Sequence, residues 1–386
     1  MVVCSIVKLV VRVKLLPTPE QAAALQATLR MVNQAANHVS KVAFERNTRR
    51  HYDLRKLTYA NVREEFALAA QAAQHAIKKV ADAYTSLRSN IRAGNLGPEG
   101  SPRRAKAESK PITFGPDAAK PYDDRCLSWN HDARTLSIWT TAGRLRNMAF
   151  TGSPDQLKML TAHRKGESDL IHRDGMWFLY ATCDLPDVQV LDPVGFVCVD
   201  LGIANFATTS DGTLYAGKTL NAVRHRHREL RRRLQARNTK SAKRLLKRRF
   251  RKEARFAADA NHVISKRIVT EAKRTGRGIS LEDLSGIRDR VRLRKPQRVT
   301  LHSWSFHQLG SFIAYKAAGQ GVPLVYVDSA CTSRECSTCG HVDKKNRPDQ
   351  ATFSCTSCGF AEHADVNAAR NIASRGATGW AVSHAA

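Results

Sequence analysis

Four cysteines near the end of the chain form two pairs, with fifteen residues between the pairs: Cys336 and Cys339, then Cys355 and Cys358. The pattern C-x2-C-x15-C-x2-C is typical of treble-clef and ribbon zinc sites. Four thiolates fill a tetrahedral coordination shell and leave no open position for water or substrate. The spacing therefore predicts one structural Zn²⁺ ion, for which the nearby His341 and His363 are not needed.

A carboxylate follows the zinc segment directly: Asp365, in a stretch with the pattern of a helix. Two further carboxylates end apolar strands earlier in the chain, Asp200 after FVCV and Glu282 after GISL. An Asp at a strand end can also simply satisfy a turn, so Asp200 alone does not define a site. The order of the elements around all three decides between these interpretations.

The elements predicted for residues 196–372 follow a recognisable order. Three meandering strands, the first ending in Asp200, precede a helix, a strand ending in Glu282, a second helix, a buried strand at 323–330, the cysteine segment and a last helix. That order is an RNase H-like layout, which places Asp200 and Glu282 on adjacent strand ends and Asp365 beside them. Clustered carboxylates repel one another unless cations neutralise them. Two Mg²⁺ ions about 4 Å apart do so, and they support phosphodiester hydrolysis.

The chain is strongly basic. It has 63 Lys and Arg against 34 Asp and Glu, a net charge of +29 and a pI near 10.2. This excess predicts a nucleic-acid partner and no membrane, because no apolar run approaches the ~20 residues that span a bilayer. The nine cysteines, an odd number with two CxxC pairs, favour a reducing compartment. We therefore expect a cytoplasmic, nucleoid-associated protein of a prokaryote.

Residues 224–255 concentrate the charge, with sixteen Lys or Arg and two Glu. They predict a helical hairpin that is cationic towards solvent. Its predicted apolar stripe consists of Leu230, Leu234, Leu245, Leu246 and Phe250. Like charges at this density repel unless an anion offsets them, which favours phosphate contact over a merely solvated face. The side chains that we assign to nucleic-acid binding are Arg224, Arg228, Arg231, Arg232, Lys240, Lys243, Lys247 and Arg251.

The N-terminal half combines strands with helices. Residues 6–15 alternate as a half-buried strand with a basic outer face, and Thr18 begins a helix as its N-cap. A second helical region covers 58–92 and ends in a Gly/Pro/Ser-rich loop at 93–111. Short apolar runs separated by turn signals between 112 and 190 predict an antiparallel sheet, a barrel that includes the first strand.

Four blocks of the C-terminal half carry a family resemblance: VDLGIANFATTSDG, ISLEDLS, YKAAGQGVPLVYVDSACTSRECSTCG and ADVNAARNI. They resemble the signature blocks of TnpB, the transposon-encoded, RNA-guided DNA nucleases related to type V CRISPR effectors. The N-terminal stretch RVKLLPTPEQ is similar to the start of that family. The middle of the N-terminal half is similar only in layout. One departure lies beside the third carboxylate, where Ala364 precedes it and Glu362 is the nearby acid.

The resemblance implies a Mg²⁺-dependent, RuvC-like DNA endonuclease whose metal-binding triad is Asp200, Glu282 and Asp365. It implies two catalytic Mg²⁺ ions, which Mn²⁺ can replace, and one structural Zn²⁺. It also implies a structured guide RNA made from the transposon end, which pairs with a DNA target beside a short adjacent motif. In such systems base pairing reads the sequence, and the protein reads shape and the adjacent motif.

The implied fold is multidomain α+β. An N-terminal β-barrel (wedge) carries a helical insertion (recognition), and a C-terminal RNase H-like RuvC nuclease domain carries an inserted four-cysteine zinc ribbon. The implied boundaries are 1–17 for the first wedge strand, 18–105 for recognition, 106–191 for the rest of the wedge, 192–330 for the first part of the nuclease, 331–362 for the zinc-binding target-nucleic-acid-loading insertion, 363–376 for the last nuclease helix and 377–386 for a flexible tail.

Three alternatives stay open. A compact type V CRISPR effector would share every motif and differ in its genomic neighbourhood. A cleavage-free, RNA-guided DNA-binding repressor of the same ancestry would have lost a carboxylate, whereas all three are present. A guide-free transposase would share the triad but not the zinc insertion or the wedge-like N-terminus.

Overall fold

The computed structural model describes residues 8–185, 188–201, 205–216, 218–283, 306–328, 330–349 and 351–384. The chain divides into two compact units, residues 1–186 and 187–386, each of which combines strands with helices. The predicted α+β fold is confirmed. Within the described ranges, none of the helices combines the length and the apolar character that crossing a bilayer requires.

Seven strands of the first unit form one antiparallel sheet in the order β2-β6-β7-β1-β5-β4-β3, a nearly closed barrel. The strands are β1 (Lys8–Leu16), β2 (Lys120–Tyr122), β3 (Leu127–Asn130), β4 (Thr135–Thr140), β5 (Gly143–Thr151), β6 (Arg164–Arg173) and β7 (Met176–Asp184). Strand β1 lies between β7 and β5, so the predicted inclusion of the first strand in the barrel is confirmed. Its Val11, Val13 and Leu15 are buried in the core, while Arg12 and Lys14 are exposed.

The first unit also contains helices α1 (Pro19–Glu45), α2 (His51–Glu65), α3 (Ala70–Arg92), α4 (Pro102–Glu108) and α5 (Pro154–His163). The predicted N-cap is confirmed, because Gln21 N donates to Thr18 Oγ1 at 3.3 Å. Two expectations were wrong. The helical region at 58–92 is interrupted after α2, where Ala67 has a left-handed φ of 47°. The stretch predicted as a loop contains α4, since Pro102 suits a first helical turn.

The elements of the second unit alternate between strands and helices. They are β8 (Phe196–Asp200), β9 (Asn205–Thr209), β10 (Leu214–Ala216), α6 (Lys218–Arg237), α7 (Lys240–Arg274), β11 (Gly278–Glu282), α8 (Phe306–Ala318), β12 (Leu324–Val327), a short 3-10 helix (Lys344–Asn346), β13 (Thr352–Ser354), β14 (Ala361–His363) and α9 (Ala364–His384). Five strands form one sheet in the order β10-β9-β8-β11-β12. Strands β8, β9 and β10 form the predicted antiparallel meander, and β11 is parallel to both β8 and β12.

Alternation along the central strands divides their side chains between two layers of helices. Val199 and Leu281 face a core shared with α7 and α8. Cys198 points to the other face, where it packs with Ile372 of α9. The last helix is therefore held against the side of the sheet to which every second residue of β8 and β11 points.

Two expectations for the second unit were also wrong. The strand predicted as buried is β12, which lies at the edge of the sheet and leaves Tyr326 56% exposed. The predicted flexible tail begins inside α9, which continues to His384. There the ring of Trp380 lies 6.0 Å from the ring of Phe196, so the end of α9 has a packing partner on the sheet.

Candidate functional site

The four predicted zinc ligands come together. Their sulfur atoms all lie within 4.8 Å of one another. Cys336 Sγ is 3.6 Å from Cys358 Sγ, and Cys339 Sγ is 3.6 Å from Cys355 Sγ. Tetrahedral zinc with bonds of about 2.3 Å places its sulfur ligands about 3.8 Å apart. The donor atoms and their spacing therefore fit a closed, structural Zn²⁺ site.

Each cysteine pair sits on a tight turn that ends in glycine. Gly340 N donates to Cys336 O at 2.9 Å, and Gly359 N donates to Cys355 O at 3.1 Å. Both glycines have left-handed φ values, 75° and 74°, which residues with a Cβ rarely adopt. Phe353 is fully buried in the small core beneath the two turns. The sequence CxxCG, present twice, thus encodes both the ligands and the turns that present them.

Asp200 and Glu282 lie at the ends of two adjacent parallel strands. Val199 pairs with Leu281 across β8 and β11, so the next residue on each strand is a carboxylate. Neighbouring strands are about 4.8 Å apart, and residues at matching positions point to the same face. Because Val199 and Leu281 face the core on one side, Asp200 and Glu282 face the side covered by α9.

The pKa of buried Cys198 is affected by the same two carboxylates. Burial raises the pKa of its thiol well above the usual value, and the charges of Asp200 and Glu282 raise it further. Both carboxylates therefore act on one side chain on the α9 face of the sheet.

Asp365 is the second residue of α9 and joins this group from the helix. Burial raises the pKa of Asp200 to about 7, and the neighbouring charge of Asp365 adds to the increase. The structure thus brings Asp365 and Asp200 into electrostatic contact. Together with the strand register, this places the three predicted carboxylates on one side of the central sheet.

An arginine that the sequence analysis did not single out completes the group. Arg347 Nη2 lies 3.3 Å from Asp365 Oδ1, and its positive charge partly offsets the rise in the pKa of Asp200. Arg347 belongs to the loop between the two cysteine pairs, so the zinc segment contributes a side chain to the carboxylate site. The only sequence signal was a basic residue in this loop, where Lys344 and Lys345 are also basic.

The carboxylates are not gathered as tightly as the cysteines. Across the described parts of the chain, the four cysteines are the only group of three or more His, Cys, Asp and Glu side chains close enough to share one ion. Asp365 is instead paired with Arg347. Carboxylate oxygens are the type of donor that Mg²⁺ prefers. Two of the three carboxylates, Asp200 and Glu282, lie on strands of the central sheet.

The basic segment forms the predicted helical hairpin, α6 and α7. Six of its assigned side chains are exposed: Arg228, Arg232, Lys240, Lys243, Lys247 and Arg251. Arg224 and Arg231 are half-buried, and Arg231 pairs with Glu253 at 3.6 Å. The hairpin therefore presents most of its predicted cations to solvent.

The predicted apolar stripe of this hairpin was only partly right. Leu234 is buried, and Leu230 and Leu246 are half-buried. Leu245 and Phe250 are 38% and 65% exposed. Two helices bury one narrow seam between them, and apolar residues outside that seam stay in solvent.

Two family models match the second unit and its border. Residues 182–285 match the model described as a probable transposase, OrfB_IS605, and residues 306–372 match the Cas12f1-like TNB domain. The first match contains Asp200 and Glu282, and the second contains the four cysteines and Asp365. Together the two matches cover the whole candidate site.

Curated relatives match over part of their length. The CRISPR-associated endodeoxyribonuclease Cas12f1 of Sulfoacidibacillus thermotolerans is 35% identical over 227 residues, which are 53% of this chain and 52% of that protein. TnpB-like protein MJ0751 of Methanocaldococcus jannaschii is 35% identical over 122 residues, 31% of this chain and 43% of that protein. The chain spans about half the length of the curated relatives it matches. The resemblance to TnpB is confirmed.

A solved structure has the same fold. The Cas12f1 chain in a Cas12f1–sgRNA–target DNA complex superposes with a TM-score of 0.56 at 14% identity, over 90% of this chain and 82% of that chain.

Proposed function

We propose that this relative of TnpB-like and Cas12f1 proteins is an RNA-guided DNA endonuclease with a Mg²⁺-dependent, RuvC-like active site. One observation carries the proposal: Asp200, Glu282 and Asp365, from three elements far apart in sequence, lie on one side of the central sheet. The two relatives' names describe an endodeoxyribonuclease and a TnpB-like protein, which agrees with such a site.

The three carboxylates are suited to hold divalent cations. Burial raises the pKa of Asp200, and the charge of Asp365 raises it further against the opposing effect of Arg347, so the negative charge of the carboxylates is disfavoured here. Mg²⁺, when bound, would neutralise this charge, activate a water and stabilise the leaving oxygen. Asp200 and Glu282 would supply metal ligands from two adjacent strands, and Asp365 would supply a third ligand from α9.

Arg347 has a role beside the carboxylates. Its guanidinium is paired with Asp365 and is 26% exposed, so one side of the group faces solvent. Guanidinium groups bind phosphate through paired N–H donors. Arg347 would therefore hold Asp365 in place and contact a phosphate oxygen of the scissile strand.

Guide and target would bind the basic surfaces. The exposed cations of α6 and α7 supply phosphate contacts, with the eight assigned Arg and Lys residues as the contact set. A protein of the same fold was solved with sgRNA and target DNA. In this scheme, the barrel and helices of the first unit are the wedge and recognition domains. The second unit is the nuclease with its zinc-binding insertion, divided at the boundaries given above.

The proposal is tested with protein co-expressed with its transposon-end RNA. Sequencing the co-purified RNA should give one structured species that ends in a variable guide. Cleavage of a matched DNA target should require Mg²⁺ or Mn²⁺. Asp200→Ala should reduce the rate by about 10²–10³-fold or more while DNA binding persists. The exposed carboxylate variant Asp259→Ala should cleave like the parent. Cleavage by Asp200→Ala at the parent's rate would refute the assignment.

A further inference from the structure

Three polar side chains of α9 point at the backbone of the cysteine segment. Asn367, Asn371 and Arg375 are spaced four residues apart, so they lie on one face of the helix. The proposed hydrolysis uses none of them. Both asparagines are buried, where an amide without hydrogen-bond partners would be costly. Their hydrogen bonds therefore show which part of the chain this face of the helix contacts.

The two asparagines form hydrogen bonds with the turn that carries the first cysteine pair and with the residues just before it. Asn367 accepts a hydrogen bond from Ser337 N at 2.9 Å and donates one to Glu335 O at 2.8 Å. Asn371 donates to Glu335 O at 2.7 Å and to Thr332 O at 3.0 Å. Each contact is made to the main chain, so the helix recognises the conformation of this turn.

Arg375 extends the same contact to the segment that follows β12 and precedes the turn. Its Nη1 donates to Asp328 O and to Ala330 O, both at 2.9 Å, and its Nη2 lies 2.5 Å from Glu335 Oε2. The chain between β12 and the first cysteine is therefore fixed to α9 at several carbonyl groups.

The position of these contacts links two sites. Ser337 lies between Cys336 and Cys339, within the turn that zinc would close. Asn367 lies two residues after Asp365 on the same helix. The turn whose N–H and carbonyl groups meet the asparagines is therefore the same turn that presents two of the four thiolates.

We propose that Asn367, Asn371 and Arg375 are positioning residues that couple zinc occupancy of the four cysteines to the placement of Asp365. Zinc fixes the first cysteine turn, the three side chains hold that turn against α9, and α9 in turn keeps Asp365 beside Asp200. The inference rests on the proposed function, because it assigns a second role to the same site. Contacts that orient the ligands of a metal commonly change its affinity by about 10–100-fold.

The probe is Mn²⁺ binding to the full chain with its RNA, measured by electron paramagnetic resonance with and without zinc. Mn²⁺ at the carboxylates is the part of the signal that Asp365→Asn removes. In the parent, stripping zinc with a chelator should weaken this binding about 10-fold or more. Asn371→Asp, an isosteric change that turns the donor into an acceptor facing two carbonyls, should weaken it equally with zinc fully bound. Stripping zinc from that variant should then cause no further loss.

The outcomes separate the two proposals. If Asp365→Asn leaves all Mn²⁺ binding intact, the proposed active site fails. If Asp365→Asn removes it but zinc-loaded Asn371→Asp binds Mn²⁺ like the parent, the coupling fails. Ser374→Ala, at an exposed position of the same helix, is the matched control and should behave like the parent.

A second variant covers the case in which Asn371→Asp does not fold. Arg375→Gln changes a half-exposed side chain and should weaken Mn²⁺ binding in the same direction by at least about 3-fold. Parent-like binding with parent-like sensitivity to zinc would overturn the coupling. Hydrogen exchange at 332–337 adds a readout independent of activity, since protection there should fall in both variants while zinc stays bound.

Discussion

Two glycines on α9, three residues apart, should respond in opposite ways to the same substitution. A Cβ added at Gly376 would lie 2.8 Å from Ser280 Cβ on β11, closer than real Cβ contacts occur. A Cβ added at Gly379 would meet nothing within 4 Å. Gly376→Ala therefore tests whether α9 must approach the strand of Glu282 this closely, and Gly379→Ala is its control.

The expected magnitude follows from two terms. Replacing Gly by Ala inside a helix stabilises it by about 1 kcal/mol, and this gain applies at both positions. Overpacking costs about 1–3 kcal/mol and applies only at Gly376. The difference in the free energy of unfolding between the two variants should therefore be about 1–3 kcal/mol, with Gly376→Ala the less stable. Because the displaced helix carries Asp365, cleavage should fall in Gly376→Ala and not in Gly379→Ala.

Denaturant unfolding and single-turnover cleavage measure the two effects. Removing the opposing side chain with Ser280→Gly should restore much of what Gly376→Ala loses, so the pair should be strongly non-additive. Equal stability and equal cleavage in the two alanine variants would refute the close packing of α9 on β11. A loss that Ser280→Gly does not relieve would place the clash elsewhere.

Three other predictions concern separate parts of the chain. Cys336→Ser should lose zinc and destabilise the second unit by several kcal/mol, and full zinc content by elemental analysis would contradict it. Burial and the nearby Lys120 lower the pKa of His75 to about 4, below the ~6.5 of an unfolded chain. The neutral form stabilises the fold, so stability should be lost as pH falls from about 6.5 towards 4, by about 2 kcal/mol at pH 5. Hydrogen exchange in α3 measures this, and His75→Gln should show a flatter pH dependence. Neutralising Lys243 or Lys247 with Gln should each reduce the salt slope of nucleic-acid binding by about 0.7–0.9, and an unchanged slope would remove that residue from the contact set.

Features encoded by local pattern could be predicted from the sequence. The cysteine spacing specified the four-sulfur cluster, because ligands and glycine turns lie in the same short segments. The alternation of apolar and basic residues along β1 specified which of its side chains are buried in the barrel core. The proximity of Asp200 and Glu282 followed from the order of the elements, because each residue ends an apolar strand and parallel neighbours in this layout end at the same edge.

Features that depend on where an element lies in the assembled fold could not be predicted in this way. Strand β12 has an apolar sequence, but its edge position leaves Tyr326 exposed. Phe250 has the spacing of a buried stripe, but the seam of a two-helix hairpin does not reach it. Arg347 meets Asp365 only because the cysteine segment folds back over the start of α9, and no periodicity in the sequence signals that contact.

The electrostatics of the whole chain and of the site have opposite signs, and this difference defines what the site needs. A net charge of +29 favours polyanionic partners such as nucleic acid. At the strand ends, however, three carboxylates would repel the phosphate to be cleaved, and Arg347 supplies only one compensating charge beside them. Burial and, after it, the charge of Asp365 raise the pKa of Asp200, and divalent cations would neutralise the carboxylates more completely than one guanidinium can. Under the proposed function, the basic surface would therefore supply affinity for nucleic acid, and the acidic cluster would make cleavage depend on metal.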